Sequence, residues 1–128
     1  MILDSSVLTA IILQEAGYED LVLKLVASRG AAVGAPTLAE TGIVLTRRLD
    51  VDSITVLSRF LDDFEVRLIP FGDGHWQRAI DAFQRFGKGR HPAGLNLGDC
   101  NTYSIAAVAK QPLFFRGIDF TKTDLTPA

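Results

Sequence analysis

Four short apolar runs alternate along this chain with longer amphipathic stretches, and that alternation limits the folds open to it. Met1-Leu3, Ala31-Ala35, Glu65-Ile69 and Pro112-Phe115 are too short for helices and are bounded by Gly, Pro, Ser or Asp. Between them, apolar residues recur three and four positions apart, the period of a helix. Strands that alternate with helices are joined by crossovers rather than hairpins. The chain is therefore predicted to be α/β, with a mostly parallel sheet and helices on both faces. Thr121-Leu125 supplies a last short strand or a turn, giving four to five strands. No repeat, linker or low-complexity tract divides the sequence, so residues 1–128 read as one domain.

Six helices are predicted. The first follows Asp4 and is capped by Ser5 or Ser6, with Val7, Leu8, Ile11 and Ile12 as its stripe. The second spans Tyr18-Ser28 with Leu21, Leu23, Leu25 and Val26, and the third opens at Pro36-Thr37 with Leu38, Ile43, Val44 and Leu45. Asp50-Val51-Asp52 caps a fourth over Ser53-Asp63, facing Ile54, Leu57, Phe60 and Leu61 inward. Asp73 caps a fifth whose Trp76, Ile80 and Phe83 form a core stripe, with His75 in a solvent or capping role. Asn96 opens the sixth, with Asp99 at its third position as in a capping box.

Composition bounds the function. The residues are 48% apolar and 22% charged, with eight Phe, one Trp and a mean hydropathy of +0.22. That is more apolar surface than a small monomer needs, which predicts a protein partner. The single cysteine, Cys100, excludes an internal disulfide framework and fits a reducing, cytoplasmic setting. The apolar run Val7-Leu13 is too short for a membrane span and lacks a basic leader. Fifteen acids against thirteen Lys and Arg give a net charge of −2. If four of those fifteen acids are sequestered around cations, eleven face thirteen and the remainder is +2, so overall charge does not exclude nucleic acid.

The chemistry rests on four acids. Asp4 and Asp119 leave the carboxyl ends of two strands, while Glu40 and Asp99 lie in the first turns of helices that begin at that edge. Each has an ordinary structural account. Asp4 serves as a helix cap, Glu40 favours the positive end of a helix dipole by roughly 0.3–1 kcal/mol, and Asp99 fills a capping box. Jointly they can point into one crevice, where their repulsion is relieved by a hard divalent cation. Oxygen donors without a His or Cys cluster favour Mg²⁺ or Mn²⁺ over Zn²⁺, and such a site suits phosphodiester hydrolysis. The segment Gly87-Lys88-Gly89-Arg90-His91-Pro92, with Arg85 before it, is the densest basic stretch and suits phosphate contacts as a loop.

These residues match a known pattern. Asp4-Ser5-Ser6-Val7-Leu8, Ala39-Glu40-Thr41, Gly98-Asp99-Cys100 with Tyr103-Ser104, and Phe115-Arg116-Gly117-Ile118-Asp119-Phe120 resemble the PIN-domain ribonucleases, and more closely the VapC toxins of type II toxin–antitoxin pairs. The resemblance covers essentially the whole chain. It implies a three-layer α/β/α PIN-like fold and Mg²⁺- or Mn²⁺-dependent cleavage of RNA. It makes Asp4, Glu40, Asp99 and Asp119 the catalytic, metal-binding carboxylates, Asp4 and Asp99 being direct ligands with Ser6 beside them. It also implies a homodimer held inactive by a cognate VapB-type antitoxin. Ile118 departs from the family's usual polar residue, which touches only the surroundings of Asp119. Arg85, Lys88, Arg90, His91 and Arg116 are the candidate RNA contacts.

Two rivals use other features. A receiver-type phosphoryl-transfer domain needs paired acids after the first strand and an Asp ending a middle strand, yet Asp4 is followed by Ser5-Ser6 and Leu68-Ile69-Pro70 carries no acid. A noncatalytic partner-binding domain would use only the apolar helices.

Overall fold

All four apolar runs become parallel strands. In the computed structural model, which describes residues 1–128, β1 (Ile2–Leu3), β2 (Ala31–Gly34), β3 (Val66–Ile69) and β4 (Leu113–Phe114) form one sheet in the order β3-β2-β1-β4. Ile2 pairs with Ala32 on one side and Leu113 on the other, and Ala31 to Gly34 run in register with Val66 to Ile69. The sheet has four strands; beyond β4 the chain turns and returns only for an isolated bridge between Leu113 and Pro127. Growing from β1 toward β2 and β3 on one side and β4 on the other, the sheet has a switch point between β1 and β4. Parallel sheets open their ligand crevice at the carboxyl ends of strands flanking such a point.

The helices are α1 (Ser5–Ile12), α2 (Tyr18–Ala27), α3 (Ala35–Arg48), α4 (Ser53–Asp63), α5 (Asp73–Phe86) and α6 (Leu97–Ala109). Successive strand residues point to opposite faces, so Ile2 and Ala32 join a core with Ala79, Ala82 and Phe86 of α5 and Tyr103 and Ile105 of α6. Leu3, Val33, Val66 and Phe114 join Val7, Leu8 and Ile11 of α1, Leu25 of α2 and Phe60 of α4. The result is helix, sheet and helix in three layers. Gly34 lets α6 approach the sheet, since a Cβ there would meet Ile105 Cγ1 at 2.6 Å. Buried Thr37 and Thr102 hydroxyls hydrogen-bond at 2.8 Å and pin α3 to α6.

Three local expectations need correction. Asp4 itself caps α1, accepting from the Ser6 N–H, and neither serine does. Helix α5 begins at Asp73 with Gly72 as its cap residue, whose N–H donates to His75 Nδ1 at 3.0 Å. The stripe Trp76, Ile80 and Phe83 is 43–50% exposed, and Ala79, Ala82 and Phe86 are buried in its place. The reason is helix packing. Along the α5–α6 seam the small Ala79 and Ala82, with Phe86 set against Tyr103, fill the contact, and Trp76, Ile80 and Phe83 turn outward. Leu23, Val26, Ile43 and Ile54 also stand exposed, although their periodicity predicts burial.

Candidate metal centre

Asp4 is the first residue to leave β1, and it is 5% exposed. Its N–H donates to the Phe114 carbonyl at 2.9 Å, extending the β1–β4 ladder by one bond. Its side chain turns back over α1, where Oδ2 accepts from the Ser6 N–H at 3.0 Å and from Ser6 Oγ at 2.5 Å. Ser6 Oγ in turn accepts from the Arg116 N–H at 3.0 Å. One hydroxyl thus ties the exit of β1 to the exit of β4, across the switch point. Asp119 lies exposed in the turn that follows, and the buried Phe120 anchors that turn on Phe115 with ring centroids 5.3 Å apart.

Glu40 and Asp99 come from the helices that open beside this edge. Half-buried Glu40 accepts from Ser5 Oγ at 3.5 Å through Oε1. Its other oxygen lies over the first turn of α6, where a Cβ on Gly98 would meet Oε2 at 2.1 Å. Gly98 therefore makes room for the Glu40 carboxylate. Sequence reasoning noted Gly98 within a motif but missed this role; the signal was a glycine in the first turn of an otherwise Ala-rich helix. Asp99 forms the expected capping box, with Oδ2 accepting from the Asn96 N–H at 3.0 Å and its own N–H donating to Asn96 Oδ1 at 2.9 Å. That bond uses only one carboxylate oxygen.

The electrostatics bind the four acids into one neighbourhood. Partial burial pushes the Asp99 carboxyl up to about 6, and the charges of Asp4, Asp119 and Glu40 all act in the same direction against its hydrogen bond from Asn96. Glu40 is raised too, by burial and then by Asp4, with Ser5 opposing. No three His, Cys, Asp or Glu side chains are already drawn into a ligand set. Asp4 and Asp99 each commit one carboxylate oxygen to a helix cap and keep the other free, and the four acids form an acidic crevice rather than a closed cage. Its oxygen-only donors and mutual repulsion fit a hard divalent cation. Buried Cys100, its thiol pushed up to about 11 by burial and by Asp99, remains an uncharged core sulfur.

The basic candidates divide. Arg85, near the end of α5, is engaged by Asp124 at 2.8 Å, by Asp81 at 3.4 Å and by Tyr103 Oη at 3.3 Å. His91 accepts from the Ala93 N–H at 3.1 Å and meets Phe86 edge-on, so it shapes its own loop. Lys88 and Arg90 are exposed and make no ion pair; Arg90 Nε donates to the Gln84 carbonyl at 3.3 Å. Their loop is closed just before α6 by Lys88 N–H to Leu95 O and Leu95 N–H to Phe86 O, both 2.9 Å. Arg116 pairs with Glu15 at 2.8 Å.

A parallel four-stranded α/β/α sandwich with acids gathered at the switch point defines a class, and residues 1–125 match the PIN domain; the chain belongs to the PIN-domain family. Within it, the relatives are VapC ribonucleases. Ribonuclease VapC42 of Mycobacterium tuberculosis is 36% identical over 100% of this chain and 98% of its own length. Ribonuclease VapC36 of the same species is 40% identical over 98% of this chain and 91% of its own. The crystal structure of M. tuberculosis VapC20, described as a Sarcin-Ricin loop cleaving toxin, superposes with a TM-score of 0.81 at 13% identity, covering 99% of this chain and 97% of that one. A toxin–antitoxin complex from Klebsiella pneumoniae gives 0.70 at 16% identity, covering 96% and 92%.

Proposed function

We propose that this chain is a metal-dependent endoribonuclease, the toxin of a VapBC-type toxin–antitoxin pair, hydrolysing RNA phosphodiester bonds at Asp4, Glu40, Asp99 and Asp119. The observation that carries this reading is the meeting of three acids from distant segments at one sheet edge: Ser5, beside the cap residue Asp4, reaches Glu40, and Glu40 lies over the first turn of α6 that holds Asp99. Mg²⁺ or Mn²⁺ suits the donor set, and such an ion supplies polarisation of a phosphoryl oxygen and a nucleophilic water at neutral pH. Asp4 and Asp99 would hold it, because helix caps already fix both carboxylates. Glu40 and Asp119 complete the set or orient the attacking water. Ser6 holds Asp4 in place.

Lys88, Arg90 and Arg116 are the RNA contacts; His91 shapes the loop that carries Lys88 and Arg90, and Arg85 is committed to Asp124 of the C-terminal tail. The ribonuclease names of the relatives support RNA as substrate, and the Klebsiella complex supports an antitoxin partner. Two exposed apolar surfaces provide seats for a VapB-type antitoxin and a second copy of this chain. One is a cavity of about 460 Å³ between α3 and α4 lined by Ile43, Ile54 and Leu68; the other is Trp76, Ile80, Phe83 and Leu97 on α5 and α6. No helix is long and apolar enough to cross a membrane.

The test is cleavage of a fluorescent RNA substrate with titrated Mg²⁺ or Mn²⁺. Asp99→Asn and Asp4→Asn, which can keep their helix caps, are expected to lower cleavage by at least about 10²-fold while circular dichroism stays native. Undiminished cleavage by either folded variant would reject the assignment. Metal-independent cleavage would reject the centre itself.

A further inference from the structure

Beside the four acids lies a pocket of opposite charge. Ser5, Ser6 and Thr9 of α1, Glu15 just beyond it, Arg48 ending α3 and Arg116 after β4 line a cavity of about 520 Å³. Glu15 takes one guanidinium on each oxygen: Arg116 Nη1 donates to Oε2 at 2.8 Å, and Arg48 Nη1 to Oε1 at 3.4 Å. Arg116 Nη2 also donates to the Ala16 carbonyl at 2.9 Å. Two cations and one anion leave the pocket with a surplus of one positive charge. It shares a wall with the acidic crevice, since Ser5 also reaches Glu40 and Ser6 joins Asp4 to the Arg116 backbone.

With side chains 37–56% exposed, this triad adds little stability in water. What it does is hold two guanidinium forks ready around one planar oxyanion. Each fork has five donors, and most of Arg48's stay free of protein partners. A phosphodiester offers the same pair of charged oxygens as Glu15. A nuclease whose reacting centre is acidic repels the RNA backbone, so the phosphates on either side need positive anchors. We propose that this pocket binds an RNA phosphate next to the scissile one, with Glu15 occupying that phosphate's place in the free protein. The proposal rests on the ribonuclease reading above.

The experiment measures fluorescence anisotropy of a fluorescein-labelled, mixed-sequence single-stranded RNA 12-mer in Mg²⁺ buffer over a range of salt. Asp99→Asn protein serves as parent so that cleavage does not intervene. Adding Arg48→Gln is expected to weaken binding about tenfold and to reduce the slope of log affinity against log salt by about 0.7, the loss of one phosphate contact on a single strand. Adding Glu15→Gln is expected to tighten binding at least about threefold by freeing both forks. Asp63→Asn, an equal charge change at the opposite edge of the sheet, is expected to leave binding nearly unchanged. Unchanged affinity and slope in Arg48→Gln would overturn the pocket and point to an acidic protein segment as its ligand; so would a Glu15→Gln effect no larger than that of Asp63→Asn. A parent that binds no RNA at any salt would overturn the ribonuclease reading and the pocket with it, an outcome visible before either pocket variant is made.

Discussion

Asp99 reaches about 6 from an ordinary 3.8 because it is half withdrawn from water and faces three like charges. A carboxyl raised on folding binds its proton more tightly in the folded state. Stability is therefore expected to fall as pH rises from about 4 through 6 and to stay lower above that. A shift of this size would correspond to about 3 kcal/mol, which solvent screening at this half-exposed site reduces to roughly 1 kcal/mol. In chelator the melting temperature should be a few degrees higher at pH 5 than at pH 7.5. Added Mg²⁺ or Mn²⁺ should restore it at pH 7.5 and do little at pH 5. Calorimetry showing an equal metal effect at both pH values would contradict this account. By the same titration, RNA cleavage should decline as pH falls through 6.

The opening of α6 and the tail after β4 are the elements on which the site depends. Gly98→Ala adds a helix-favouring residue, so stability should hold or rise. The new methyl would strike Glu40 and displace its carboxylate, and a shift of about 1 Å in such a group costs about 10²-fold in rate. Cleavage assays paired with thermal melts separate the two effects. The tail is clasped where Tyr103 Oη donates to Asp124 Oδ1 at 2.7 Å and Arg85 donates to Asp124 Oδ2 at 2.8 Å. Tyr103→Phe should lower stability by about 1 kcal/mol. Hydrogen exchange should then show faster amide turnover across Phe120-Leu125, leaving β1 and β2 unaffected. All six helices were legible in the sequence, and α4 kept its bounds at Ser53–Asp63 because Asp52 caps it through the Ile54 N–H at 3.0 Å. Capping at α1 was misassigned because Asp4, Ser5 and Ser6 are all good caps, and only the path of β1 decides which faces the helix.

For the molecule as a whole, two apolar surfaces remain open to solvent, one between α3 and α4 and one along α5 and α6. The isolated chain is expected to scatter light as a dimer. Of Ile54→Glu and Ile80→Glu, one is expected to give a monomer and the other to leave the dimer intact; a dimer that survives both would move the interface elsewhere. The sequence by itself determined the succession of strands and helices and the capping box of Asn96 and Asp99, and it singled out the four acids that we propose as one site. Those features depend on neighbours within a few positions along the chain, where alternation and hydrogen-bonding side chains are directly readable. Only the tertiary structure decided that Trp76, Ile80 and Phe83 face outward while Ala79 and Ala82 meet α6, because which stripe is buried depends on where another helix packs. It alone paired Arg85 with Asp124 and Glu15 with both Arg48 and Arg116, and set Glu40 over the one residue without a side chain in its path. Such contacts join segments tens of residues apart, and their partners are chosen by packing distance, which no local pattern encodes.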